Sequence, residues 1–185
     1  MVFKNMTNIL NSIGYYGPYI LFMMSFLFII TSSIEKLLLT NLTNTFLLIK
    51  TFIDFGNKSL ILFIWNLINI WCNKILKNKI KQPRPKKSIK INDQDVINSA
   101  SYGMPSGHAQ IAVTNLVFLS LATRNISVIL IASLQTLLTL YQRYTFKMHT
   151  IMQLIVGSIL GGISGYLLYI IFQNVDFKYK KKIKK

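Results

Sequence analysis

The chain is poor in acid. Five Asp and Glu face 21 Lys and Arg over 185 residues, leaving a formal net charge of +16. The acidic residues are Glu35, Asp54, Asp93, Asp95 and Asp176, and their spacing offers no carboxylate cluster for a pair of catalytic metals. Asp93-Gln94-Asp95 could touch a magnesium carried on a diphosphate, but a solvated loop pair is the plainer reading. Cysteine is nearly absent as well. Cys72 stands alone beside Trp71, which excludes an intrachain disulfide framework and suggests a buried spectator thiol. No small-residue cleavage site follows the first apolar stretch, so that stretch reads as a retained helix rather than a signal peptide. No solenoid-type repeat is present.

Apolar sequence is abundant. The hydrophobic fraction is 52% and the mean hydropathy is +0.44. A basic chain can favour nucleic acid or a membrane surface. Too little polar sequence remains for a soluble basic domain, so the partner is a membrane and not nucleic acid. Apolar runs at 13–33, 58–76, 126–142 and 151–173 are long enough to span. The run 109–123 is short and would span if extended back into the loop before it. The Leu-rich stretch 36–54 carries Thr, Asn and Lys50 and reads either as a span or as an interfacial helix. The expected fold is therefore an all-α, polytopic membrane bundle of six spans, or five if 36–54 lies in the interface.

Polar segments divide this pattern. Residues 1–57 read as N-terminal membrane segments, 58–173 as a helical core and 174–185 as a basic cytosolic tail. The positive-inside rule places that Lys-rich tail in the cytoplasm. Two short spans joined at Arg124-Asn125 run out and back between residues 108 and 143. The polar stretches around 77–108 and 143–149 then share the opposite, extracytoplasmic face.

Both histidines of the chain lie there. Pro105-Ser106-Gly107-His108 precedes an apolar helix, whose first turn offers free N–H groups to a phosphate. Ser106 adds a donor and Gly107 permits close approach, although the same four residues equally suit a helix cap with an incidental histidine. Arg143 supplies a planar fork for phosphate oxygens. His149 opens the next apolar helix with Gln153 four residues on, on the same face. A ring nitrogen held by that neighbour leaves the other free to attack or to take a proton. Alone, this segment also reads as interfacial cations and a polar helix end. Lys77 and Arg84 flank a turn ending Gln82-Pro83-Arg84-Pro85 and could clamp a phosphoryl group. Lys79, Lys81, Lys86, Lys87 and Lys90 need do no more than meet headgroups.

The three segments together resemble the type 2 phosphatidic acid phosphatase superfamily. Its pattern is Lys, six residues, Arg-Pro; then Pro-Ser-Gly-His; then Ser-Arg, five residues, His, three residues, Asp. Lys77 to Arg84-Pro85, residues 105–108, and Arg143 with His149 fit that order. The resemblance implies a metal-free phosphatase without cofactor. His149 would be the nucleophile that forms a phosphohistidine, and His108 would protonate the leaving group. Lys77, Arg84, Ser106, Gly107 and Arg143 would bind the phosphate. Two positions depart: Gln142 stands for Ser and Gln153 for Asp. Gln at the latter place is similar to the dolichyl diphosphatase branch and to glucose-6-phosphatase. Tyr102-Gly103-Met104-Pro105-Ser106 and His149-Thr150 favour the former, while Gly107 departs from that branch's usual Ser. The resemblance thus implies a polyprenyl diphosphate as substrate and the endoplasmic reticulum or an equivalent membrane as location. Phosphatidate or a sugar phosphate is the alternative substrate, and a catalytically silent headgroup binder is the alternative function. On charge grounds, Gln153→Asp is expected to preserve or raise turnover.

Gly157, Gly161 and Gly165 recur every four residues in the final helix, a spacing that suits packing inside the bundle or a dimer seam. Tyr15, Tyr16, Trp65, Trp71 and Tyr144 read as interface anchors or packing residues.

Overall fold

A computed structural model of the chain describes residues 2–39, 45–86 and 102–183. Asp93, Asp95, Lys87 and Lys90 lie outside them, as do the side chains of the basic tail. The described residues form an all-α bundle. Its helices are α1 (Val2–Tyr15), α2 (Gly17–Leu39), α3 (Thr45–Ile80), α4 (Gly107–Thr123), α5 (Ile126–Thr145) and α6 (Ile151–Ile183). Four of them contain segments long and apolar enough to cross a membrane: 17–38, 48–80, 126–145 and 151–175. Large apolar side chains such as Leu38, Phe46, Phe52, Trp71, Leu130 and Tyr141 face outward, where a bilayer replaces water as solvent.

The helices are divided differently from the expected spans. The run 13–33 breaks at Tyr16 into two helices. Pro18 has no N–H to donate and its ring disfavours an uninterrupted helix, whereas the first turn of a new helix accepts it. The Tyr16 amide closes α1 on the Ser12 carbonyl at 2.9 Å, and the Ile20 amide opens α2 on the Tyr16 carbonyl at 3.0 Å. The stretch 36–54 is not a span of its own, because its second part begins the long helix α3. Lys36 and Asp54, at its two ends, are paired. The Asp54 carboxylate takes Lys36 at 3.2 Å from α2 and Lys58 at 3.1 Å from the next turn of α3. Lys58 also lies 5.3 Å from the centre of the Phe172 ring.

Helix α4, at 17 residues, is short for a bilayer. It is instead the centre of the bundle and contacts α2, α3, α5 and α6. The glycine stripe makes its closest contact. A β-carbon on Gly157, Gly161 or Gly165 would run into the carbonyl oxygen of Ser106, Gln110 or Thr114 on the facing stretch of chain. Backbone-to-backbone approach of this kind is what small residues permit in membranes. The stripe therefore packs inside the bundle. The turn at Arg124-Asn125 is tight: Arg124 adopts a left-handed conformation, and the Asn125 side chain accepts from the Ser127 amide at 2.9 Å.

Buried amides tie α3 to α4. Asn73 donates to Gln110 at 2.8 Å, Gln110 donates to Asn69 at 3.0 Å, and Asn115 donates to Asn66 at 3.0 Å. Ser25 of α2 joins the series by donating to Asn115 at 3.0 Å. Interhelical bonds of this type contribute about 0.6 kcal/mol each in membrane bundles, so their main effect is to fix helix register. Trp65 is part of the packing and not an interface anchor, since its indole N–H donates to Ser164 of α6. Trp71, Tyr16 and Tyr144 are exposed, and Cys72 is half-buried rather than buried.

Candidate active site

The ends of four helices meet on one side of the bundle: the last turn of α3, the first of α4, the last of α5 and the first of α6. Lys77, Arg84, Gly107, His108, Arg143, Met148 and His149 line a cavity of about 80 Å³ between them. That is room for a few waters or one small anion. Three of the lining side chains are cationic, two are imidazoles and none is a carboxylate. Ser106 and Gln153 lie behind the lining instead of in it, both fully buried. Met148 has no polar or charged signature in the sequence that marks it as a wall of this cavity.

Local structure explains each placement. Ser106 caps α4, its hydroxyl oxygen accepting from the Ala109 amide at 3.4 Å. The Ser106 amide donates to the Gln153 carbonyl at 3.0 Å, which locks the α4 entrance to the start of α6. Asn73 donates to the Pro105 carbonyl at 3.3 Å and so joins the loop to α3, one turn before Lys77. A β-carbon on Gly107 would come within 3.1 Å of the Asn73 amide oxygen, so a larger residue there requires Asn73 to give way by a few tenths of an ångström. After α5, Lys147 takes a positive φ of 52°, and the Met148 and His149 amides both donate to the Arg143 carbonyl. This hook turns His149 back toward Arg143.

Gln153 orients the ring of His149. The Thr150 backbone N–H donates to Gln153 Oε1 at 3.2 Å, and the Pro83 carbonyl accepts from Gln153 Nε2 at 2.9 Å. A backbone donor on one side and a backbone acceptor on the other leave the amide one favourable orientation. His149 Nδ1 lies 3.2 Å from that oriented oxygen and must carry the proton to bond it. The lone pair of neutral His149 is then on Nε2, which is 3.3 Å from Arg84 Nη1. Gln82 also accepts from Gln153 Nε2, at 3.0 Å, and Gly103 leaves the amide room, because a β-carbon there would overlap it. Burial lowers the His149 pKa well below its ordinary value, and Arg84, Lys77 and Arg143 lower it further, while the bond to Gln153 opposes them. The imidazole is therefore neutral at physiological pH.

Across the cavity, Arg143 Nη2 lies 2.6 Å from His108 Nε2. Arg84 donates to the Met148 carbonyl at 3.0 Å. Sequence reasoning missed one neighbour of both motif residues. Tyr15, at the end of α1, is buried with its ring centre 4.8 Å from the Arg143 guanidinium carbon and 5.6 Å from the His108 ring centre. Gln142 is buried too, where α5 meets Gly14 of α1.

An apolar groove also reaches His108. Pro18, Tyr19, Phe22, Phe63, Leu67, Ile70 and Ile111 line it with Asn66, between α2, α3 and α4, and its volume is about 280 Å³.

No curated protein matches the chain. Among solved structures it is similar to the first transmembrane PAP2 type phosphatidylglycerolphosphate phosphatase from Bacillus subtilis, at 22% identity, 88% coverage of this chain, 97% of that chain and a TM-score of 0.46. The model of the PAP2 superfamily matches residues 58–177, which include every polar residue lining the cavity. The chain belongs to the PAP2 superfamily and is a multi-pass membrane phosphatase.

Proposed function

We propose that the chain hydrolyses a polyprenyl diphosphate to the monophosphate and inorganic phosphate. His149 Nε2 attacks the terminal phosphorus, and the bond from that phosphorus to the bridging oxygen breaks. The electron pair leaves with the lipid monophosphate, to which His108 gives a proton; the ring takes that proton from solvent when the diphosphate oxygens replace it as the partner of Arg143 and support an imidazolium. Water then attacks the phosphohistidine with His108 accepting its proton, and phosphate departs. Lys77, Arg84 and Arg143 hold the phosphoryl oxygens at the cavity, with the Gly107 backbone and the Ser106 helix cap on its α4 side. Charge spreads over those oxygens in the transition state, so positioned cations act where charge develops.

The observation that carries this reading is the Gln153 amide, which directs the Nε2 lone pair of His149 toward the cluster of cations. Gln153 cannot neutralise an imidazolium as a carboxylate would. A diphosphate asks less of the nucleophile, because its leaving group is itself a phosphate. The apolar groove at His108 supports a lipid over a sugar phosphate, since it offers a hydrocarbon tail a path to the cavity. In this reading residues 58–173 are the phosphatase core, the site faces the lumen or the extracytoplasmic side, and the tail is cytosolic.

The test is phosphate release by the detergent-purified protein with EDTA present, on a polyprenyl diphosphate, phosphatidate and glucose 6-phosphate. Preferential release from the diphosphate is expected, with no turnover by His149→Ala. Preference for phosphatidate would move the substrate and keep the mechanism. Undiminished turnover by His149→Ala would overturn the mechanism.

A further inference from the structure

The matched family segment begins at residue 58, yet residue 15 packs against two members of the motif cluster, Arg143 and His108. We propose that Tyr15 is a positioning residue of the phosphate site, holding the Arg143 guanidinium beside His108 through its aromatic face. The inference rests on Arg143 being a phosphate ligand.

Three observations converge on it. The Tyr15 ring reaches both residues at once, at 4.8 Å from Arg143 and 5.6 Å from His108. Tyr15 is 5% exposed, so the contact is shielded from the surroundings. Its location is also built by packing. Gln135 of α5 donates to the Ile13 carbonyl at 2.9 Å. Gly14 lies against Leu138 and Gln142, and Gly17 against Thr139. These contacts seat the corner between α1 and α2 on α5, directly beside the turn that carries Arg143.

The physical role follows from how a guanidinium is held. A ring face attracts the cation through its quadrupole without using an N–H donor, and the attraction grows when water is excluded. An ion pair would restrain Arg143 equally well, but a carboxylate there would repel the phosphate. An aromatic ring restrains the side chain and leaves its charge for an incoming anion. It also limits the entropy that Arg143 loses when the anion arrives.

The experiment uses the full chain in detergent, with inorganic phosphate and orthovanadate as probes in titration calorimetry. Tyr15→Phe is the reference, and phenylalanines of increasing fluorine content replace it at position 15. Fluorination weakens the ring quadrupole with little change of shape, so phosphate affinity should fall stepwise, by about tenfold over the series. Tyr15→Leu should lose about as much affinity as the most fluorinated ring, while Leu10→Ala, on the exposed side of α1, should match wild type. With a turned-over substrate, KM should rise along the series more than kcat falls. An unchanged phosphate affinity across the fluorinated series would overturn the proposal, even if Tyr15→Leu failed to fold. Wild-type protein that binds neither phosphate nor vanadate would overturn the phosphate-site reading as well, which separates the two failures.

Discussion

At the residue scale, the site depends on hydrogen-bond direction more than on charge. Charge alone favours Asp over Gln at position 153, since a carboxylate supports imidazolium. The surroundings argue the opposite for this chain. The Gln153 Nε2 group serves the Pro83 carbonyl and the Gln82 side chain, and a carboxylate would bring its own oxygens against those acceptors. Gln153→Asp should therefore lower kcat, by at least about tenfold, as misdirected imidazoles do elsewhere. Gly103→Ala should do the same from outside the reacting groups, because its methyl would displace the Gln153 amide. Steady-state kinetics of the two variants checks this, and a fully active Gly103→Ala would refute the amide's role.

The same histidine sets a pH limit. In the proposed mechanism neutral His149 is the attacking form, so activity should be lost as pH falls through its pKa. Burial and the cations Arg84, Lys77 and Arg143 hold that pKa below the ordinary value of 6.5. The acid limb of kcat/KM should accordingly lie below pH 6.5. Arg84→Gln removes one of the depressing charges, so the limb should move upward while the plateau falls. A limb that stays in place would show that the Arg84 charge does not depress the value.

At the element scale, the α4–α6 seam matters most. A helix of 17 residues is a poor span by itself, and α4 is held by the backbone contact that the glycine stripe permits. Gly161→Leu would push a branched side chain into the Gln110 carbonyl and the Val113 side chain. It should cost roughly 1–3 kcal/mol, with a lower melting temperature in detergent. Because Ser106, Gly107 and His108 ride on α4, activity should fall along with stability. Gly162→Ala, one residue away in open space, should change neither and is the control.

At the scale of the whole molecule, the two ends of the bundle carry opposite designs. One end gathers cations and no carboxylate among the residues lining its cavity. The other buries the Asp54 carboxylate between Lys36 and Lys58 and thereby joins α2 to α3. Lys58→Met leaves the carboxylate with one fewer cation in a buried setting. A loss of about 2 kcal/mol in stability is expected, below the figure for a fully broken buried pair because Lys36 remains. The distant cavity should be undisturbed, so KM should hold. A change in KM without a change in melting temperature would contradict this separation.

Sequence by itself determined the class of the fold and the cations and imidazoles that line the candidate site. Apolar run lengths specify membrane helices because a bilayer leaves the backbone no other partner. Motif spacing placed Lys77, Arg84, His108, Arg143 and His149 at one end of the bundle, since spans must go out and back. Tertiary structure decided the rest. The break at Tyr16 depends on one proline, which run length does not register. The fate of 36–54 was decided by the long helix α3 that its second part begins, in which Asp54 pairs with Lys36 and Lys58. The choice between bundle packing and a dimer seam for the glycines depended on which backbone came to face them. Tyr15 was legible as an amphipathic aromatic near a helix end but not as a neighbour of Arg143, because 128 residues separate them and only packing brings them together. The same holds for the orientation of Gln153: its side chain has two possible orientations in the sequence, and Thr150 and Pro83 select between them only once the chain has folded.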